Sequence, residues 1–158
     1  MLLVTATILA GIVVFVVGQV FVILFAERIR LQARTVEEIA VALVRYAREY
    51  TNPIRPKDIT DAQRAIFTPV SDEFRTLAAR LRASALTLRW YRFFELVRLV
   101  LPRQNVIGGS RGLIGLSNSI PPHPEGGVEA ADAFKTKIET LLDIEIPPPD
   151  PPAAAEAE

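Results

Sequence analysis

The sequence predicts an all-α protein: one N-terminal transmembrane helix, a small cytoplasmic helical bundle and a disordered, acidic, proline-rich tail. Three observations lead there. A long charge-free run opens the chain, apolar residues beyond it recur at helical spacing, and from Pro147 onwards the composition PPPDPPAAAEAE offers nothing to bury. The predicted divisions are a transmembrane anchor over 1–26, a juxtamembrane heptad helix over 27–52, a helical cytoplasmic domain over 53–146 and a disordered tail over 147–158.

The anchor rests on Leu2 to Ala26, twenty-five residues without a charge, seventeen of them Val, Leu, Ile or Phe. A helix of that length measures about 37 Å, enough to cross a hydrocarbon core of roughly 30 Å with some tilt. No basic residue precedes Arg28, and Leu24-Phe25-Ala26 lacks the small-residue pattern of a cleavage site, so the expectation is an uncleaved anchor. Arg28, Arg30 and Arg34 follow the run directly. That flank predicts an N-terminus outside and a cytoplasmic remainder, at a bacterial inner membrane. Thr7, Gly11 and Gly18 share one face of the helix, where small residues permit close approach of another helix. Gln19, at the border of that stripe, suits a hydrogen bond to such a neighbour.

In ERIRLQARTVEEIAVALVRYAREYTNP, Ile29, Val36, Leu43 and Tyr50 stand seven apart, with Ile39 and Tyr46 at intervening d positions and Ala33, Ala40 and Ala47 alongside. This is a heptad seam on an amphipathic helix. Thr35 and Glu38 have capping-box spacing, so the helix either restarts there or runs on continuously. Asn52-Pro53 and Pro56 are expected to end it. After a loop, Ser71 is the expected N-cap of the next helix, with Asp72 and Glu73 in its first turn and Phe74, Leu77, Ala78, Leu81 and Ala85 on its apolar stripe. The run LRWYRFFELVRLVLP predicts a further helix over Leu88 to Leu101, too short to span and apolar over most of its circumference, hence buried or interfacial. Arg89, Trp90 and Arg92 of this run, together with Arg28, Arg30 and Arg34 after the anchor, are the predicted membrane-surface residues of the protein. A last amphipathic helix is expected from Val128 to Leu142, with Val128, Ala131, Phe134, Ile138, Leu141 and Leu142 on one face.

The stretch GGSRGLIGLSNSI contains a literal G-x-S-x-G at residues 108–112. A nucleophile elbow needs a strand before Ser110 and an acid then a histidine after it. The single histidine is His123, and no acidic residue lies between Ser110 and it. A phosphate-binding loop fails as well, because Ser110 and Leu116 stand where glycine and lysine are required. Wound as a helix over 108–119, the segment places Gly108, Gly112, Gly115 and Ser119 on one smooth strip. Helical glycines cost roughly 1 kcal/mol each relative to alanine, so the strip is predicted to be a helix-packing face whose close contact offsets that cost.

Charge is unevenly distributed. Fifteen arginines and three lysines balance eighteen acidic residues, yet residues 27–111 carry sixteen basic against nine acidic and residues 112–158 carry two against nine. A basic middle suits anionic lipid, and an acidic end suits solvent or the basic middle itself. The absence of cysteine excludes thiol catalysis, disulfides and thiolate metal sites, and one histidine makes no metal centre. Glu95, alone among aromatics and arginines, is expected to pair with Arg92 or Arg98. Neither catalytic nor cofactor-binding residues emerge, and the aromatics sit in too apolar a run for a nucleic-acid surface.

The run SRGLIGLSNS, together with EEIAVALVRYAREYTNP and DEFRTLAARLRA, resembles a group of uncharacterised bacterial single-pass membrane proteins over about residues 1–120. Alanine or glutamate is expected in that pattern where this chain has Gly108 and Gly109. The resemblance implies a single-pass membrane protein but no activity. The expected function is that of a membrane-anchored interaction protein, a scaffold, accessory subunit or regulator. Its expected partners are the bilayer and another membrane protein or a second copy met through the span. The alternative is an enzyme or ligand-binding module for an anionic membrane-derived substrate held by arginines.

Overall fold

The computed structural model describes residues 2–51, 59–120 and 127–146, and every regular element among them is helical. Helix α1 (Leu2–Phe21) passes through a π-helical turn (Val22–Ala26) into α2 (Glu27–Arg45) without a break. Phe21 and Glu27, which bracket the turn, both keep right-handed helical torsions. The result is a rod about 65 Å long. No residue between Val4 and Phe21 is buried. Of the two alternatives at Thr35, the continuous one holds: no capping box forms, the helix runs on, and the Thr35 hydroxyl donates to the Leu31 carbonyl at 2.8 Å.

The buried side of α2 carries Gln32, Thr35, Ile39, Ala42 and Leu43, whereas Ile29 and Val36 are only half-buried and Ala33 is exposed. The apolar seam is therefore displaced from the one predicted. It meets α4 of the same chain. Nor does one helix fill 27–52, because Tyr46 leaves the helical region (φ −102°, ψ 19°) before the short α3 (Ala47–Thr51). This break seats the rings of Tyr46 and Tyr50 edge-on to Phe74, at centroid distances of 6.0 and 6.3 Å. Asn52, Pro53 and Pro56 lie outside the described residues.

Helix α4 (Asp61–Thr87) begins eleven residues earlier than predicted. Thr60 and Gln63 form a full capping box there, and Ser71 lies well inside the helix, where its hydroxyl donates to the Ser117 carbonyl at 3.1 Å. Pro69 sits inside the helix and leaves the Ala65 carbonyl without its usual donor. Burial of Phe67 and Val70 on either side offsets that loss.

The predicted helix over Leu88 to Leu101 is broken. Leu88 is extended, and Trp90 adopts left-handed torsions (φ 62°, ψ 29°). Helix α5 spans only Tyr91–Leu96, and Arg98 is left-handed again (φ 57°), with the Leu99 N–H donating to the Phe94 carbonyl at 2.9 Å. This is a Schellman-type stop.

Helix α6 (Arg103–Ser119) and helix α7 (Gly127–Leu142) complete the bundle. Helix α6 lies at its centre, packed against both α4 and α7; α2 flanks α4, and α3 flanks α7. Phe74, Leu81, Phe94, Leu113, Leu116 and Ile138 are fully buried in the core. Beyond Asp143, which is left-handed (φ 56°), Ile144 and Ile146 lie partly buried against that core. The predicted tail, 147–158, is outside the described residues.

Candidate functional site

The glycine strip singled out in the sequence packs against α7. A β-carbon built on Gly108 would fall 2.7 Å from Leu141 Cδ1, and one on Gly112 would fall 2.8 Å from Ile138 Cγ1, both on α7. On Gly115 it would overlap the edge of the Phe134 ring. Gly109, not assigned to the strip, abuts Leu142 in the same way at 2.7 Å. These glycines let the two backbones approach more closely than any side chain would permit. Ser110, on the opposite side of α6, is fully buried, and its hydroxyl donates to the Ile107 carbonyl at 3.0 Å. It shares a face with Ser117, whose carbonyl accepts from α4. His123 lies outside the described residues. By contrast, Gly11 and Gly18 on α1 meet nothing within 4 Å.

The second assembly is the junction where α1 reaches the bundle. The Phe25 ring stands 5.0 Å from Phe21, 5.2 Å from Phe94 and 6.2 Å from Trp90, and Phe94 is fully buried. Beside this cluster Trp90 is 69% exposed and Leu96 80% exposed, and Phe93, Val97 and Leu99 also face outwards. A left-handed torsion costs an L-residue roughly 1–2 kcal/mol, so the chain keeps an exposed tryptophan here against local strain.

Arg28, Arg89 and Trp90 converge on one groove, walled by Phe25, Thr87 and Leu88. A second groove shares Arg28 and Thr87 with it and continues between α2 and α4 past Arg34 to Glu38 and Arg80. Arg30 and Arg92 are exposed and line neither. Glu95 and Arg98 both border an apolar groove with Ile29 and Leu142, but no ion pair joins Glu95 to Arg92 or Arg98 among the described residues. Arg98 has already left the helix, so the three-residue spacing no longer brings its side chain onto the same face.

A buried polar relay holds the junction together. The Gln32 amide donates to the Tyr91 hydroxyl at 3.0 Å, and that hydroxyl donates to the Leu101 carbonyl at 2.6 Å. Burial raises the Tyr91 phenol above its ordinary pKa, with the Gln32 bond working against the rise. Sequence reasoning passed over Gln32, although its signal was present: a polar residue at the d position three after Ile29. Tyr91→Phe is expected to cost about 2 kcal/mol, because it strands the Gln32 amide and the Leu101 carbonyl away from water. Gln32→Met should cost a similar amount, and the double variant less than the sum. Denaturant unfolding of the three proteins in one detergent measures the cycle; strict additivity would show that the relay is not a unit.

Elsewhere, burial pushes the Tyr50 phenol up to about 12, and its hydroxyl donates to the Leu43 carbonyl at 2.7 Å. Tyr46 is raised first by its hydrogen bond to Glu73 and then by burial. Among the described residues no three His, Asp or Glu side chains are grouped so as to hold a metal ion. No family model, curated protein or solved structure matches this chain.

Proposed function

We propose that the protein is a single-pass inner-membrane protein that works by association, with α1 as its anchor and its helical domain held against the cytoplasmic face of the bilayer. The observation that carries this reading is the α1–α2 rod. Its first half is apolar, with no residue between Val4 and Phe21 buried by the other described residues, while its second half is built into the core of the bundle. A core helix of a water-soluble protein would be wrapped by its own domain; an unwrapped apolar helix suits a bilayer instead. Exposed Trp90, Phe93, Leu96, Val97 and Leu99 beside its end suit the interfacial zone, and the arginines that follow suit the cytoplasmic side.

On this reading the bilayer is one partner, and the other is a membrane helix, from a second copy or another protein, meeting the stripe of Thr7, Gly11 and Gly18. The role is that of a scaffold, accessory subunit or regulator rather than of a catalyst. The orientation is directly testable, since the chain has no cysteine. Thr5→Cys should react with a membrane-impermeant thiol reagent in intact cells, and Thr140→Cys only after permeabilisation. Labelling of Thr140→Cys in intact cells would overturn the orientation.

A further inference from the structure

We infer that the groove between Arg28 and Arg89 binds the phosphate of an anionic glycerophospholipid, with Trp90 and Phe25 against its glycerol and upper acyl region. The inference rests on the membrane reading above and assigns a site within it.

The two guanidinium groups come from different elements: Arg28 from the first turn of α2, Arg89 from the turn between α4 and α5. Neither is paired with a carboxylate among the described residues, and the same holds for Arg34 further along. The one carboxylate bordering the two grooves, Glu38, is already held by Arg80 at 3.1 Å. Three guanidiniums without a carboxylate partner among the described residues thus border two grooves that share Arg28 and Thr87, and guanidinium matches phosphate by bidentate hydrogen bonding. Phe25 and Trp90 line the same groove beside the two guanidiniums, Phe25 one turn before Arg28 on the rod and Trp90 next to Arg89, with their rings 6.2 Å apart. A ligand with a phosphate at one end and hydrocarbon at the other satisfies both kinds of lining, which a free anion does not.

With its acyl end against Phe25 and Trp90, the lipid would extend its headgroup into the adjoining groove, which Arg34 borders. A zwitterionic headgroup would bring an ammonium there, against like charge; a headgroup bearing hydroxyls would not. The site therefore discriminates against zwitterionic lipids by charge placement rather than by size.

The chain supplies its own reporter, because Trp90 is its sole tryptophan. Full-length protein in a non-ionic detergent is titrated with short-chain phosphatidylglycerol while Trp90 emission is followed. A saturable blue shift is expected, with phosphatidylcholine at least tenfold weaker. Arg28→Gln/Arg89→Gln should weaken phosphatidylglycerol binding about thirtyfold, and Arg30→Gln/Arg92→Gln less than threefold. All four side chains are exposed, so the fold should survive, and circular dichroism of each variant checks it. Equal losses from both pairs would mean diffuse attraction and overturn the site. Inorganic phosphate that produces the same shift with an affinity equal to that of the lipid would overturn the lipid as its ligand. Because the titration needs no bilayer, its failure is distinguishable from a failure of the orientation test.

Discussion

Gly112→Leu is expected to lower the thermal midpoint of the helical domain by about 10 °C, while Ser110→Ala leaves it nearly unchanged. The leucine would have to occupy space already filled by Ile138, 2.8 Å from the would-be β-carbon, with the Phe134 carbonyl 3.7 Å away. Overpacking of this kind costs roughly 1–3 kcal/mol, and each kcal/mol moves the midpoint of a domain this size by about 4–8 °C. Ser110 is just as buried, but its hydroxyl serves only the Ile107 carbonyl one turn back in its own helix. Alanine removes that local bond and gains helix propensity. Melting of both variants by circular dichroism decides the matter. An unchanged midpoint in Gly112→Leu would mean that α6 and α7 are not in close contact in solution.

Phe94→Ala should have the larger effect, about 3–5 kcal/mol of unfolding free energy, as expected for removing a fully buried aromatic ring. The ring lies 6.2 Å from Phe21 and 5.2 Å from Phe25, so its loss also removes the aromatic contact between the rod and α5 and should shift the emission of nearby Trp90. Phe93→Ala is the matched control. Phe93 touches Phe94 edge-on at 5.5 Å but is 51% exposed, and its removal should cost under about 1 kcal/mol. Denaturant unfolding in detergent reads both; similar small costs would show that the aromatic junction is a surface contact.

Two segments show what the sequence could and could not convey. Gly108, Gly112 and Gly115 were legible as one face because a helix repeats its geometry every few residues, and α7 announced its partner side through Phe134, Ile138 and Leu141. The start of α4 was not. Ser71 with its two acidic neighbours and Thr60 with Gln63 offer rival capping signals, and the choice depends on whether burial of Phe67 and Val70 outweighs Pro69. That balance is set by tertiary packing. Likewise nothing local marks Trp90 and Arg98 for left-handed torsions, and an apolar run read as one helix divides into a turn, six helical residues and a second turn. The junction was least legible of all, since it joins Phe25 to residues more than sixty positions away.

The unbroken helix from Leu2 to Arg45 fixes a compass bearing. With no non-helical residue between α1 and α2, α1 cannot roll about its axis unless Ile39, Ala42 and Leu43 turn with it inside the bundle. The stripe of Thr7, Gly11 and Gly18 is therefore aimed in one azimuth relative to the domain. The π-helical turn sets that azimuth, since its surplus residue rotates everything before it by about 100°. Two copies meeting through the stripe would thus have the mutual heading of their domains dictated by five residues, Val22–Ala26. Deleting one of them would re-aim the pair without touching either surface.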